Sequence, residues 1–218
     1  MTFESFTKKR EVICGTYLVT DRSYCIHHPL EEVIAQSIKG GVKMVQLREK
    51  DISTRDFLDL AIRLKNLLVK TNVPLIINDR LDIALAAGAE GLHLGQTDLP
   101  ATYARKILGE EAIIGLSIES MDDFYQLPAQ ANLDYLGISP IFSTQTKLDT
   151  KEPWGLDGLK RIRSMTQLPL VAIGGINEKN AKSVIEAGAD SLAVVSYLCS
   201  AESPFDRAKY LTNLYSKL

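Results

Sequence analysis

Eight times along this chain, a short apolar run rich in β-branched residues gives way to a longer stretch with helical periodicity. Val42–Leu47 is typical of the first kind. Ser53–Lys70 is the clearest of the second: Phe57, Leu60, Ala61, Leu64, Leu67 and Leu68 make one apolar stripe, and Ser53 with Asp56 has the spacing of a capping box. The first run, Val12–Thr20, predicts strand one, and the last periodic stretch, Pro204–Leu218, predicts a closing helix. The runs do not alternate strictly between apolar and polar residues, as suits parallel strands covered by helices. No Pro- or Ser-rich linker divides the 218 residues. The pattern predicts a single (β/α)8 TIM barrel of the α/β class over residues 1–218, with 1–11 as a short N-terminal extension, rather than a doubly wound open sheet.

Charge and cysteine content narrow the function. A formal net charge of −2 gives no basic field to hold nucleic acid, so any anion site must be local. Cys14, Cys25 and Cys199 are far apart and lack metal-like spacing, which suits small hydrophobes in a reducing compartment. The first ten residues are polar and charged, and no apolar run approaches the roughly 20 residues of a membrane helix. A soluble, cytoplasmic protein with small-molecule partners is expected; the sequence specifies no oligomeric state.

A barrel carries its chemistry at the C-terminal ends of its strands. Strand two delivers Gln46, Arg48 and Lys50. Arg48 and Lys50 are two residues apart, so on extended backbone they point the same way and can clamp a multiply charged anion. Read alone, the segment is equally a solvated charge cluster. Strand three ends in Asn78-Asp79-Arg80, and strand four in His93-Leu-Gly-Gln-Thr-Asp98. Each aspartate alone reads as a cap for the helix that follows. As a pair on adjacent strand ends beside Arg48 and Lys50, they read as ligands for Mg²⁺. His93 lies inside an apolar run and reads as a buried, satisfied histidine rather than a base.

Strand five ends in Ser117, and strand six leads into a long polar loop, Ser139 to Lys147, that runs on through Trp154 and Gly155. Loops of this length in compact barrels are often lids, although Ser/Thr-rich loops are commonly only solvated turns. Strand seven ends in Gly174-Gly175-Ile176 and strand eight in Val195-Ser196, where backbone N–H groups can bind a phosphate. Two anion sites emerge, one metal-assisted near strands two to four and one of backbone groups at strands seven and eight.

Tyr17-Leu-Val-Thr-Asp21, Gln46-Leu-Arg-Glu-Lys50, Asn78-Asp-Arg80, His93-Leu-Gly-Gln96 with Asp98, Ser139 through Lys147, Ala172-Ile-Gly-Gly-Ile176 and Ala187-Gly-Ala-Asp190 together resemble the thiamine phosphate synthase family. The likeness runs from about Gly15 to Ser200. It implies a transferase that joins a hydroxymethylpyrimidine pyrophosphate to a hydroxyethylthiazole phosphate and releases pyrophosphate. By that resemblance, Arg48, Lys50 and Lys147 are catalytic and, with Asn78, hold the pyrophosphate. Gln46 and Ser117 contact the pyrimidine, and Leu47 and Glu49 bind the pyrimidine pyrophosphate with the rest of their segment. Asp79 and Asp98 bind Mg²⁺, while Thr144, Gln145, Thr146, Gly175, Val195 and Ser196 take the thiazole phosphate. Two departures concern the loop: Ser139 stands where the family more often has glycine, and Trp154 is added.

The implied reaction needs a stabilised leaving group and no base, which agrees with the absence of a convincing catalytic His or Cys. Two other readings stay open. A thiazole tautomerase relative binds the same thiazole phosphate but should not need Lys50, Asp79, Asp98 and Lys147. A non-catalytic thiamine-phosphate binder leaves the metal pair and the clamp unexplained.

Overall fold

A computed structural model describes residues 9–127, 129–144 and 151–216. Eight parallel strands close on themselves in sequence order: β1 (Gly15–Val19), β2 (Val42–Leu47), β3 (Leu75–Asn78), β4 (Gly91–Leu94), β5 (Ile113–Ile118), β6 (Tyr135–Ile138), β7 (Leu170–Ile173) and β8 (Ser191–Val194). β8 pairs back onto β1, with Tyr17 opposite Ala193. The helices are α1 (Leu30–Lys39), α2 (Thr54–Leu68), α3 (Leu81–Ala87), α4 (Ala101–Leu108), α5 (Met121–Tyr125), α6 (Gly155–Met165), α7 (Ala181–Glu186), α8 (Ser196–Cys199) and α9 (Pro204–Tyr215). The expected (β/α)8 barrel is the observed fold. No helix among the described residues is long and apolar enough to cross a membrane.

Two-residue periodicity splits each strand between two cores. Tyr17, Val19, Met44, Ile76, Ile113, Tyr135, Val171 and Ala193 fill the barrel interior, and Leu18, Val45, Leu75, Leu92 and Leu136 pack in the layer beneath the helices. The α2 stripe joins that outer layer through Phe57, Leu60, Ala61, Leu64 and Leu68. Its start is fixed as expected: Ser53 Oγ accepts from the Asp56 amide at 3.1 Å and donates to the Asp56 carboxylate at 2.7 Å.

The chain departs from the expected pattern at its start. Residues 9–13 are helical, so the apolar run beginning at Val12 is not all strand. The Cys14 amide closes a helical turn on Arg10 O at 3.0 Å, and β1 begins only at Gly15. Ile13, 2 % exposed, packs into the barrel interior. Buried Lys9 bonds Ala112 O at 2.9 Å and Asp134 Oδ1 at 3.1 Å, which ties this turn to β5 and β6. The end of the barrel away from the strand C-termini is thereby sealed. At the other end, β5 continues past Ser117 to Ile118, and α5 stops at Tyr125.

Glycines inside β5 and β6 make room for large interior rings. A Cβ on Gly115 would lie 2.0 Å from Tyr135 Cζ, and one on Gly137 would lie 3.0 Å from His93 Cε1. Gly115→Ala is therefore expected to destabilise the barrel by about 1–3 kcal/mol or more, because buried Tyr135 cannot retreat. The urea midpoint would show this, and an unchanged midpoint would mean that the interior is looser than described.

Candidate active site

The C-terminal ends of the strands surround a cavity of about 430 Å³. Of the residues singled out in the sequence, Gln46, Arg48, Lys50, Asn78, Asp79, Asp98, Ser117, Thr144, Gly175, Val195 and Ser196 all line it. Two side chains point elsewhere. Leu47 is wholly buried in the outer core, as its place between Gln46 and Arg48 on a strand requires. Glu49 is gripped by the Arg22 guanidinium through two bonds of 2.8 Å. Gln145, Thr146 and Lys147 lie outside the described residues.

The cationic side is built by the end of β2 and the loop after β1. Thr20, fully buried, accepts the Arg48 amide on Oγ1 at 3.1 Å and so fixes the backbone where the strand ends. The Arg48 guanidinium is 3.8 Å from the Asp21 carboxylate, which leaves most of its five donors for other acceptors. Asp21 is itself held by the Ser23 hydroxyl at 2.6 Å.

Asp79 and Asp98 stand together beside these cations, and neither caps a helix. Arg80 and Pro100 occupy the cap positions of α3 and α4, without side-chain cap bonds. Asp98 instead accepts the Gly95 amide at 2.6 Å. Asp79 is held at φ +62, in the left-handed region that non-glycine residues rarely adopt, and its amide donates to His93 O at 2.8 Å. Strain at such a residue persists where the surroundings fix it, and functional sites are where it concentrates. The Asp79 carboxyl is pushed up to about 6, first by burial, then by hydrogen bonding and charge repulsion from Asp98. Lys50 and Arg48 pull it the other way. Two carboxylates that repel one another in a half-buried site fit a hard divalent cation. Among the described residues, no third His, Cys, Asp or Glu completes a ligand cluster here. A cation held by this pair would need further ligands from water or a bound oxyanion, as Mg²⁺ commonly takes.

The opposite wall is backbone. Gly174 and Gly175, at φ +103 and +66, turn the chain after β7, and the loop after β6 is packed directly onto them. A Cβ on Gly174 would lie 2.7 Å from Pro140 Cβ, and one on Gly175 would lie 2.8 Å from Phe142 Cβ. The Ile141 and Phe142 amides bond Ile173 O and Gly174 O at 2.9 and 3.1 Å, extending the β7 edge. Trp154 pins the far end of this loop: its indole N–H is 3.2 Å from both Ile118 O and Ser139 O. The two departures from the family's pattern, Ser139 and Trp154, thus meet at one anchoring point. After β8, the four-residue α8 begins at Ser196, and its first bond runs from the Leu198 amide to Val195 O. The Ser196 and Tyr197 amides come before that bond at the cavity edge, outside the helix's own ladder.

Several cavity residues lie outside the substrate and metal set expected from the sequence. Glu119 and Gln96 line it, with Gln96 Nε2 donating to Ser117 O at 2.6 Å. Glu119 is there because β5 continues to Ile118. Tyr17, His93 and Tyr135 form the floor. His93 is a satisfied histidine, as expected, with both ring nitrogens 2.9 Å from hydroxyls.

Fold and cavity together define a (β/α)8-barrel enzyme equipped with two carboxylates, two cations and a backbone turn around one opening. The chain belongs to the thiamine monophosphate synthase family, whose model matches residues 16–198. It is 55% identical over 206 residues to the thiamine-phosphate synthase of Leptospira biflexa, covering 93% of this chain and 98% of that one. It is 53% identical over 198 residues to the enzyme of the same name from Albidiferax ferrireducens, covering 91% of this chain and 90% of that one. Among solved structures, thiamine phosphate pyrophosphorylase from Pyrococcus furiosus superposes with a TM-score of 0.84 at 31% identity, covering 95% of this chain and 98% of the other.

Proposed function

We propose that this protein condenses 4-amino-2-methyl-5-hydroxymethylpyrimidine pyrophosphate with 4-methyl-5-(2-hydroxyethyl)thiazole phosphate, giving thiamine phosphate and pyrophosphate. The observation that carries this reading is the gathering of Arg48, Lys50, Asp79 and Asp98 at one side of a single cavity and of Gly175, Val195 and Ser196 at the other. Two anions need two sites of different chemistry, and a space between them where carbon and nitrogen can meet.

In this reading Arg48, Lys50, Asn78 and Lys147 hold the pyrophosphate, Gln46 and Ser117 hold the pyrimidine edge, and Thr144, Gln145 and Thr146 with the Gly175 and Ser196 backbone hold the thiazole phosphate. Mg²⁺ on Asp79 and Asp98 would supply charge stabilisation for the leaving oxyanion. The methylene carbon–oxygen bond breaks and its electron pair leaves with the pyrophosphate, while the 4-amino group donates into the developing cation. The thiazole nitrogen lone pair then forms the new carbon–nitrogen bond. No proton moves, so the residues act by orienting, by neutralising charge and by excluding water. A tautomerase reading leaves the Arg48, Lys50, Asp79 and Asp98 side without a task.

Calorimetric titration of each substrate tests the two-site arrangement. Ser196→Asp is expected to weaken thiazole phosphate by about 10–100-fold through charge repulsion and to leave pyrimidine pyrophosphate unaffected. Equal losses for both ligands would mean that the two anion sites are merged or exchanged.

A further inference from the structure

A chain of hydrogen bonds crosses the cavity floor through five strands. Gln46 Nε2 is 2.8 Å from Tyr17 Oη, which is 3.2 Å from Tyr135 Oη. Tyr135 Oη is 2.9 Å from His93 Nδ1, and His93 Nε2 is 2.9 Å from Ser117 Oγ. The rings are locked: His93 stacks on Tyr135 at 5.5 Å between centroids, and Tyr17 meets Tyr135 edge-on at 6.2 Å. The two ends, Gln46 and Ser117, are the residues that the proposed function assigns to the pyrimidine.

Each interior member of this chain gives one proton and takes one, so the chain has two possible senses. Its Gln46 end selects one, because an amide nitrogen only donates. Tyr17 accepts from Gln46 and so gives its own proton to Tyr135. Tyr135 in turn gives its proton to His93 Nδ1, which must be unprotonated to receive it. His93 then carries its proton on Nε2 and donates to Ser117 Oγ. The Ser117 hydroxyl proton is left for an acceptor in the cavity. Burial pushes both phenols well above the usual tyrosine range, so neither drops out of the chain by ionising at neutral pH.

We propose that Tyr17, Tyr135 and His93 are positioning residues, a proton-ordered relay that fixes His93 as the Nε2–H tautomer and makes Ser117 a hydrogen-bond donor toward a ring nitrogen of the aminopyrimidine. The relay explains why a histidine on the cavity floor is not a base: both nitrogens are engaged. It also explains the small residues beside the rings, since Gly115 and Gly137 leave the space that Tyr135 and His93 occupy. The pyrimidine assignment of Gln46 and Ser117 rests on the proposed function; the tautomer does not.

Two measurements test the relay separately from that reading. The first is the long-range ¹H–¹⁵N spectrum of histidine-labelled, ligand-free protein. With only His27, His28 and His93 present, a His93→Gln variant assigns the signals. The relay requires neutral His93 with the proton on Nε2. In Tyr17→Phe, which cuts the chain from its amide anchor without changing shape, both tautomers should be populated. The second is calorimetry on Tyr135→Phe and Tyr17→Phe. Pyrimidine pyrophosphate is expected to weaken about tenfold, with thiazole phosphate binding unchanged. A wild-type His93 found as Nδ1–H or as imidazolium overturns the proton order, even if the enzyme is fully active. Equal weakening of both substrates, or none, overturns the positioning role. A protein that makes no thiamine phosphate would refute the functional reading, and the tautomer would still decide the relay.

Discussion

Asp79→Asn is expected to lower kcat by about 10²–10³-fold while leaving the thermal midpoint unchanged or raised. The two effects have opposite signs for one reason. Burial, and after it the hydrogen bond and charge of Asp98, push the Asp79 carboxyl up, so its ionised form is costly to the folded protein. Removing one charge relieves the folded protein and, in the proposed reading, removes a ligand that would hold the cation. Asp98→Asn should lower kcat in the same way, but it also weakens the bond from the Gly95 amide, so its thermal midpoint should benefit less. Steady-state rates across a Mg²⁺ titration, with melting curves in chelator, check this. If Asp79→Asn kept wild-type turnover, or lost stability and activity together, the pair would be reduced to a structural feature.

Arg48→Ala carries the second large effect. Arg48 is fixed by the Thr20 bond to its backbone, and its guanidinium pairs with Asp21 only at 3.8 Å. Were it only a partner for Asp21, its loss would change little, within about 0.5 kcal/mol. If it neutralises charge developing on departing pyrophosphate, its loss should lower kcat/KM by about 10²–10³-fold, the range for one preorganised donor. Arg48→Lys should recover only part, because an ammonium replaces a planar fork with a point charge. Single-turnover rates at saturating substrate separate binding from chemistry. A loss confined to binding of the pyrimidine would place Arg48 in ground-state recognition only.

The sequence carries the barrel because its signal is repeated: eight apolar runs, each flanked by helical periodicity, leave few topologies open. It carries the charged rim for a similar reason, since the strand-end rule sends Arg48, Lys50, Asp79 and Asp98 toward one face without knowledge of contacts. Errors arise where one composition serves two structures. Val12 and Ile13 look like the start of β1, yet they finish a helical turn that plugs the barrel. Leu47 and Glu49 sit within the motif but on the other side of the strand's two-residue alternation, where Leu47 meets the core and Glu49 meets Arg22. The floor relay is illegible for a deeper reason. Tyr17 and Tyr135 stand inside apolar runs like any core aromatic, and only closure of the barrel brings β1 within hydrogen-bonding distance of β6.

The central claim is that one cavity joins two anionic substrates, and pyrophosphate release measured with each substrate alone and with both together tests it most directly. The account predicts negligible release from either substrate alone. With both present and Mg²⁺ supplied, it predicts pyrophosphate and thiamine phosphate in equal amounts, abolished by chelator. Pyrophosphate released at the same rate without the thiazole phosphate would make this a hydrolase, and conversion of the thiazole phosphate alone would make it an isomerase; either result contradicts the account.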